Sequence, residues 1–375
     1  MEAYLDNSAT TPLCKSAKEE MVNAIENTWG NPSSLHEKGI EADLLLKEAR
    51  KTLASLLSCT EKEVFFTSGG TEGNNLAVFG AAHASKRKGN RVITSAVEHP
   101  SVMKAFDRLE SEEFEVVKIP TDKKGFIDVE ALENAVNEKT VLISIMAVNN
   151  EVGTIQPFEE LSKIAKRKGA PALIHVDAVQ AFGKIPLTPK KWGIDLMTVS
   201  SHKIHGPKGV GALFVKEGTK LSPVAAGGGQ ERDIRPGTEP MPAIAGFMGA
   251  MKELKVKDSL AMLTELRDYL IAELEKRDFV TVNSPENALP YIVNLSLKGL
   301  RSETVLNLLS DMEIYVSSGS ACSKGHKSPV LTAMGLDDSV IDSSLRVSMS
   351  RFTTKEQLDY FLQGIDTAQK VIRKK

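Results

Sequence analysis

The sequence predicts an α/β protein with a mostly parallel seven-stranded sheet, followed by a small α+β domain. Short runs rich in apolar and β-branched residues alternate with helical patterns through the first two-thirds of the chain. Several of these runs lack polar alternation, which is typical of strands that are buried on both faces of a parallel sheet. From about residue 253 the pattern changes to a long helix followed by mixed short elements.

The strand candidates of the large domain are separated by helical segments such as 71–88 and 158–168, which are amphipathic. In chain order the strand candidates are 63–67 (EVFFT), 91–96 (RVITSA), 115–119 (EVVKI), 140–147 (TVLISIMA), 172–177 (ALIHVD), 195–199 (DLMTV) and 210–215 (VGALFV). In an open sheet of this kind the ligand site lies beyond the carboxyl ends of the strands.

The small domain is predicted from the last third of the chain. Its elements are a helix with Leu260, Leu263, Leu266, Leu270 and Leu274 on one face that breaks near Asp278, a strand at 291–297 (YIVNLSL), a helix from Ser302, an apolar run from Ile314 to Val316 and a closing helix from Thr354. We therefore expect a large domain over 15–252 and a small domain that combines 1–14 with 253–375.

Composition excludes several classes of protein. The net charge of −2 gives no overall attraction to nucleic acid or to a membrane surface. The longest apolar stretches, such as 141–148, are far too short to span a bilayer. Residues 1–15 lack the basic start and long apolar core of a signal peptide. We expect neither direct nucleic-acid binding nor membrane association.

The cysteine content indicates a reducing compartment. The chain contains 3 cysteines, Cys14, Cys59 and Cys322, and an odd, sparse set argues against a disulfide framework. We therefore predict a cytoplasmic protein. Cys14 and Cys59 fall within predicted helices, where we expect them to be structural.

A glycine-rich turn follows the first strand of the large domain, in TSGGTEGNN at 67–75. Gly69 and Gly70 allow a tight turn, and the amides at the start of the next helix, together with the Thr71 hydroxyl, could hold a phosphate. An ordinary turn with a threonine cap explains the same letters equally well. The spacing fits neither GxGxxG nor a P-loop, so nucleotide binding of those kinds is not supported.

Polar residues also follow the other strands. His99 follows 91–96 and Asn150 follows 140–147, while Asp177 and Gln180 lie at the end of 172–177. A lone histidine before proline is as often structural as functional. By contrast, a carboxylate at the end of a buried strand costs free energy of desolvation unless a cationic group pairs with it.

A lysine completes the set of strand-end residues. Lys203 stands in SSHKIHGPKG (200–209), directly after the strand at 195–199. A partly buried lysine can have its amine pKa lowered enough to form a Schiff base with an aldehyde.

Together these residues predict pyridoxal phosphate (PLP), an aromatic aldehyde that carries a ring nitrogen and a phosphate. Lys203 would bond the aldehyde and Asp177 would meet the ring nitrogen. His99 could stack on the ring. The phosphate would be held by Thr71, Ser200 and His202.

At this point the chain resembles a known family. It is similar to class V aminotransferase-type PLP enzymes of fold type I, and specifically to cysteine desulfurases of the NifS/IscS kind, over nearly its whole length. The segments that carry the resemblance are YLDNSATTP (4–12), NPSSLH (31–36), TSGGTEGNN (67–75), EHPSV (98–102), VNNEVG (148–153), HVDAVQ (175–180), SSHKIHGPKG (200–209), GGGQERDIRPGT (227–238), SSGSAC (317–322) and RVSMSRFTT (346–354).

The resemblance implies roles for matching positions. The cofactor-binding positions it implies are Gly70, Thr71, His99, Asn150, Asp177, Gln180, Ser200, His202, Lys203 and Thr238. Lys203 would be the Schiff-base lysine, and His99 the stacking residue and proton shuttle. Gln180 would approach the ring hydroxyl. Thr238 would reach the phosphate in the neighbouring subunit, which implies a homodimer.

The resemblance also implies the substrate and the nucleophile. Arg346 would pair with the carboxylate of L-cysteine, with Asn150 beside it, and a guanidinium–carboxylate fork suits an amino-acid substrate. Cys322 lies in VSSGSACSKGHKSP (316–329), a segment with little apolar content that predicts an exposed loop. Basic neighbours such as Lys324 would favour its thiolate. The loop after Cys322 is about two residues shorter than in those family members that carry a longer SACTSA…EPS segment. It also differs from the RxGHHC segment of the SufS branch of the family.

The function predicted is that of a PLP-dependent desulfurase, with Lys203, Cys322 and His99 as catalytic residues. L-Cysteine would give L-alanine and a persulfide on Cys322, and the sulfur would pass to an acceptor protein such as an iron–sulfur scaffold or a tRNA-thiolation enzyme. The alternatives are another class V aminotransferase or lyase, and an inactive relative acting as a scaffold. No resident metal site is expected, although transient iron–sulfur ligation by Cys322 is compatible with the sequence.

Overall fold

The structure, a computed structural model, describes residues 1–318 and 327–372. Its strands are β1 (Ala3–Tyr4), β2 (Val64–Thr67), β3 (Arg91–Ser95), β4 (Glu115–Ile119), β5 (Thr140–Ser144), β6 (Leu173–Asp177), β7 (Leu196–Ser200), β8 (Gly211–Val215), β9 (Val280–Val282), β10 (Ile292–Leu297), β11 (Ile314–Tyr315) and β12 (Ser344–Ser348). Its α-helices are α1 (Lys15–Asn27), α2 (Glu37–Leu56), α3 (Gly70–Ser85), α4 (Pro100–Ser111), α5 (Val129–Ala135), α6 (Leu161–Arg167), α7 (Pro189–Trp192), α8 (Met241–Lys252), α9 (Val256–Glu275), α10 (Ser302–Asp311), α11 (Pro329–Ala333), α12 (Asp338–Asp342) and α13 (Lys355–Val371).

The main sheet has seven strands in the order β2-β8-β7-β6-β5-β3-β4. The neighbours from β7 through β4 run parallel, whereas β8 is antiparallel to both β2 and β7. Each of the seven predicted strands is therefore present. The carboxyl ends of β2, β3, β5, β6 and β7 all lie at one edge of this sheet.

Both faces of the main sheet are buried, which explains the missing polar alternation. Neighbouring residues on a strand point to opposite faces, and Phe65 and Phe66 accordingly belong to different apolar clusters. Val92 and Ile93 divide in the same way. Helices on both sides therefore cover the sheet, whose buried polar residues include Thr94, Ser144, His175 and Thr198.

A second group of elements packs beside the main sheet. A three-stranded antiparallel sheet has the order β12-β10-β9, and β1 pairs in parallel with β11. On α9, Leu263, Leu270 and Leu274 are buried, in agreement with the predicted apolar face. Since β1 joins the two ends of the chain, the pairing supports the division into 15–252 and 1–14 with 253–375, which stays a prediction.

Two of the cysteine placements were wrong. Cys14 is the residue before α1 rather than part of the helix, and Cys59 lies in the turn after α2. Neither is fully exposed, and burial raises the pKa of both thiols, that of Cys59 to about 12. Both cysteines therefore lack thiolate character, as expected of structural residues.

No helix in residues 1–318 or 327–372 is long and apolar enough to cross a membrane. The same residues contain no cluster of histidine, cysteine and carboxylate side chains that could hold a metal ion.

Candidate active site

Asp177 is the last residue of β6 and is buried, with 5% of its surface exposed. One carboxylate oxygen, Oδ2, accepts a hydrogen bond of 2.7 Å from Asn74 Nδ2, and Oδ1 accepts one of 3.0 Å from the Val179 amide. Asp177 forms no ion pair with any described residue. A buried carboxylate in this state is suited to hold a cationic ligand group.

Lys203 lies in a 3₁₀ turn directly after β7. Its Nζ donates to the main-chain oxygen of Ser8 and, at 2.7 Å, to that of Ala9. The N-terminal segment 4–12 thus reaches over the sheet edge to the lysine. Gln180 Nε2 donates to the same Ser8 oxygen at 3.0 Å, so Lys203 and Gln180 share one acceptor.

His99 is tied to Asp177 by a chain of hydrogen bonds. Asn74 Nδ2 donates both to Asp177 and, at 2.8 Å, to Ser101 Oγ. The Ser101 amide donates to His99 Nδ1 at 3.1 Å, and Ser101 Oγ lies 2.8 Å from the same nitrogen. Because an amide can only donate, Nδ1 is unprotonated and the neutral ring carries its hydrogen on Nε2.

The charge state of His99 follows from its surroundings. Burial lowers its pKa; the charge of Lys203 lowers it further, and that of Asp177 raises it. His99 is therefore neutral at pH 7, with an N–H on the ring edge away from Ser101.

Within the described residues, no group accepts a hydrogen bond from the first main-chain amides of α3. The preceding residue, Gly69, has φ +147° and no side chain that could cap the first amides. A Cβ at Gly70 would lie 2.8 Å from Val179 Cγ2, so the helix start packs closely against the end of β6. Thr71, the next residue, is exposed. Such a helix terminus is an anion site.

Two further groups face the same end of the sheet. Ser200 Oγ is buried without a hydrogen-bond partner in the described part of the chain. His202 Nδ1 lies 3.3 Å from Thr10 Oγ1. Burial, with a smaller effect of the Lys203 charge, lowers the pKa of His202 to about 4. A neutral imidazole and an unpaired hydroxyl are donors that a phosphate can use, so the residues present fit PLP.

Arg346, on β12, is buried and joins three distant segments. Its Nη2 forms an ion pair with Asp6 Oδ1 at 2.8 Å, and its Nη1 donates to the Asn150 main-chain oxygen at 3.0 Å. Asn150 Oδ1 is buried, and no described residue bonds to it. A guanidinium held in this way can present its planar edge to a carboxylate.

The segment that contains Cys322 begins and ends beside Arg346 and Asn150. The main chain of Ser317 exchanges hydrogen bonds of 3.2 and 2.6 Å with Arg346. At the other end, Ser328 Oγ donates to Glu151 Oε2 at 2.5 Å. Cys322 itself, with Lys324, lies outside the described residues, so its predicted role is not tested by the structure.

Comparison with known proteins identifies the family. The family model "Aminotransferase class-V" matches residues 3–361. The chain belongs to the class V aminotransferase family. The enzymes of this family that it resembles depend on PLP, which confirms the predicted cofactor.

Individual relatives place the chain within this class V family. A cysteine desulfurase IscS from Dictyoglomus turgidum is 43% identical over 380 residues, which cover 100% of this chain and 95% of that protein. A solved NifS-like protein has a TM-score of 0.94 and 38% identity, and covers 99% of this chain and 100% of that one. The solved structure of SspA in complex with cysteine has a TM-score of 0.83 and 32% identity, with coverage of 94% and 100%. The predicted NifS/IscS resemblance and the predicted fold are confirmed.

In this class V chain the structure brings together most of the predicted residues. Hydrogen bonds link His99 to Asp177, Lys203 to Gln180 and Arg346 to Asn150. Thr71 and Thr238 are exposed, and no described hydrogen bond joins either side chain to the other predicted residues.

Sequence reasoning missed several residues that support the class V site. They are Asn74, Ser101, Asp6 and Glu98. Glu98 is fully buried beside His99 and accepts from Ser95 Oγ at 2.6 Å and from the Met146 amide at 2.9 Å. Burial raises its pKa to about 8, because desolvation disfavours the carboxylate form. Its position before His99 was visible in the sequence, but its burial was not.

Proposed function

We propose that this chain is a PLP-dependent cysteine desulfurase that converts L-cysteine to L-alanine and passes the sulfur to Cys322. The observation that carries the proposal is the buried Asp177 carboxylate, which lacks an ion pair in the described chain and lies at the same sheet edge as Lys203. That pair of groups matches the ring nitrogen and the aldehyde of PLP. The cysteine desulfurases at about 40% identity support the reaction.

Each cofactor contact is assigned to a residue described above. Lys203 would hold the aldehyde carbon, and Asp177 would keep the ring nitrogen protonated. Gln180 would donate to the ring hydroxyl. The phosphate would be held by Gly70, Thr71, Ser200 and His202. When bound, PLP supplies an electron sink for the bonds at the substrate α-carbon.

Lys203 and His99 would carry the proton movements. Lys203 would take the proton from the substrate α-carbon once the substrate amine replaces it. His99, neutral with its hydrogen on Nε2, would stack on the ring and deliver or accept a proton there. Asn74 and Ser101 keep that tautomer fixed.

The substrate carboxylate would bind Arg346, with Asn150 next to it. The Cys322 thiolate would attack the substrate sulfur. The bond from sulfur to the β-carbon breaks, its electron pair stays with carbon, and a proton completes the methyl group of alanine. The sulfur remains on Cys322 as a persulfide and is then taken by an acceptor protein, such as an iron–sulfur scaffold or a tRNA-thiolation enzyme.

We also propose a homodimer in the cytoplasm. Thr238 is exposed, and no described contact joins it to the site residues of its own chain. A residue that serves the site of a neighbouring subunit would be placed in this way. Large apolar side chains are exposed on and between α1 and α2, with Trp29 64% and Leu35 96% exposed. A fully active monomer at nanomolar concentration in sedimentation would contradict the dimer.

The cofactor assignment is tested on Lys203. The purified protein should carry a visible absorption band, and borohydride reduction should fix PLP on Lys203, as peptide mapping would show. The Lys203→Ala variant should bind PLP without a covalent link and should release no alanine from L-cysteine. Reduction onto a different lysine would overturn the assignment.

A further inference from the structure

A second lysine, Lys184, is buried behind Lys203. Only 5% of its surface is exposed, and its Nζ donates to Gln180 Oε1 at 2.9 Å. Nζ also lies 5.4 Å from the centre of the Tyr291 ring. No carboxylate lies within ion-pair distance of Nζ in the part of the chain described. A lysine without a carboxylate partner is costly to bury, so this placement calls for a reason.

The local chain places Lys184 back onto Gln180. Residues 179–184 form a turn after β6, and Gly183 has φ +72°. A Cβ at Gly183 would lie 2.8 Å from Ile204 Cγ2, next to Lys203. Only glycine meets both conditions, and the turn therefore packs Lys184 against the segment that carries Lys203. The two lysines line one small cavity of about 20 Å³.

Lys184 determines which way the Gln180 amide points. Lys184 Nζ donates to Oε1 of Gln180, which is the only atom of that amide that an ammonium can meet as a donor. The Ser8 main-chain oxygen can only accept, and the atom that meets it, at 3.0 Å, must be Nε2. The two contacts together fix the amide, and one N–H of Nε2 remains available for an acceptor.

The charge of Lys184 also affects the amine of Lys203. Burial, and then the charges of Lys203 and Arg346, lower the pKa of Lys184 to about 7. Conversely, a positive charge on Lys184 disfavours the protonated form of the Lys203 amine. The other titratable groups that face Lys184 are His202, His205 and Tyr291.

We propose that Lys184 is a positioning residue that holds the Gln180 amide with its N–H toward the ring oxygen of PLP. This inference rests on the proposed function, because it takes PLP as the ligand of Gln180. Lys184 would touch neither the cofactor nor the substrate, and it would act through Gln180 and through its charge.

The test is a double-mutant cycle on Lys184→Met and Gln180→Ala. Lys184→Met keeps the length of the side chain and removes its donor and its charge. In PLP-loaded protein the visible absorption band of the cofactor changes with pH, and Lys184→Met should raise the midpoint of this titration by about one pH unit. The reason is that a hydrogen-bond donor and a positive charge are both lost. PLP affinity should fall about tenfold, measured by titrating apo protein.

Coupling separates positioning from a merely structural role. If Lys184 acts through Gln180, most of its effect on PLP affinity should disappear in the Gln180→Ala background. Lys184→Gln, a shorter polar variant, should show the same coupling and is made in case Lys184→Met folds poorly. Lys191→Met, at an exposed lysine on α7, is the matched control and should leave midpoint and affinity unchanged.

The outcomes distinguish this inference from the proposed function. A PLP-loaded, cysteine-cleaving enzyme whose band and affinity are unchanged by Lys184→Met would overturn the inference alone. Effects that add fully to those of Gln180→Ala would also overturn it. A protein that binds no PLP would overturn both.

Discussion

The cofactor side and the substrate side of the site are built differently. On the cofactor side, Asp177, Ser200 and Lys203 end or follow neighbouring strands of one sheet, so the sheet itself places them. On the substrate side, Arg346 meets Asp6 and Asn150, which are 340 and 196 residues away in sequence. The sheet places the residues of the first half, to which the N-terminal segment adds hydrogen bonds at Lys203 and Gln180, whereas the second half requires β12 and Asp6, near opposite ends of the chain, to meet. Cofactor binding and substrate handling should therefore be separable by mutation.

The largest separation is expected for Cys322→Ala. Lys203 and Asp177 are untouched, so the variant should bind PLP and show the native absorption band. Alanine and sulfide production from L-cysteine should fall by several orders of magnitude, because the step that breaks the carbon–sulfur bond has lost its nucleophile. The measurement is steady-state alanine formation alongside the cofactor spectrum.

The controls for Cys322→Ala are the other two cysteines. Cys14→Ala and Cys59→Ala should leave turnover near normal, since burial holds both thiols protonated. Alanine formation by Cys322→Ala at a near-native rate would remove Cys322 from the mechanism. The alternative of a different class V lyase would then be preferred.

A smaller effect is expected on the substrate side alone. Arg346→Gln should raise KM for L-cysteine about 10- to 100-fold, because the charged fork for the carboxylate is lost. Asp6→Asn leaves the fork in place and weakens only its support, so KM should rise about three- to tenfold. Both variants should keep the PLP affinity of the native enzyme. A loss of PLP binding in either variant would show that the two sides are not independent.

The difference between the two sides also explains which site residues could be predicted from the sequence. The strand ends were predicted within a few residues because the apolar, β-branched runs themselves mark the buried strands. The run at 140–147 was predicted too long, since β5 ends at Ser144. Beyond it, the Ile145 and Ala147 amides still donate to the main-chain oxygens of His175 and Asp177, and the Ala147 oxygen accepts from the Gln156 amide. The residues proposed to hold the cofactor follow these strands, so the sequence could single them out as candidates.

Residues that act by meeting a distant partner were not found from the sequence alone. Asp6 has no local pattern that points to Arg346, and Asn74 looks like an ordinary residue of α3 until its contact with Asp177 is seen. Arg346 itself was assigned by resemblance to the family and not by its neighbours. Lys184 could have been suspected only because it follows Gln180 by four residues in a turn that contains glycine.

The last expected effect is on stability rather than activity and lies inside the cofactor side, at His175 on β6. Its ring is fully buried between Ser144 Oγ, at 2.7 Å, and Thr198 Oγ1, at 3.1 Å, and burial lowers its pKa to about 3. Between about pH 6.5 and pH 3 the unfolded chain therefore binds a proton at His175 that the folded chain does not. The free energy of unfolding falls as the pH is lowered through this window, by up to about 1.4 kcal/mol per pH unit from this group.

His175→Gln, which keeps polar atoms for Ser144 and Thr198, should remove that contribution. Its unfolding free energy, measured with urea at several pH values, should fall less steeply on acidification than that of the native protein. His202 and His205, each with a pKa lowered to about 4 chiefly by burial, act in the same direction and should still do so in the variant. An unchanged slope would mean that His175 takes up its proton in the folded sheet. The centre of the cofactor side would then be more open to water than its burial indicates.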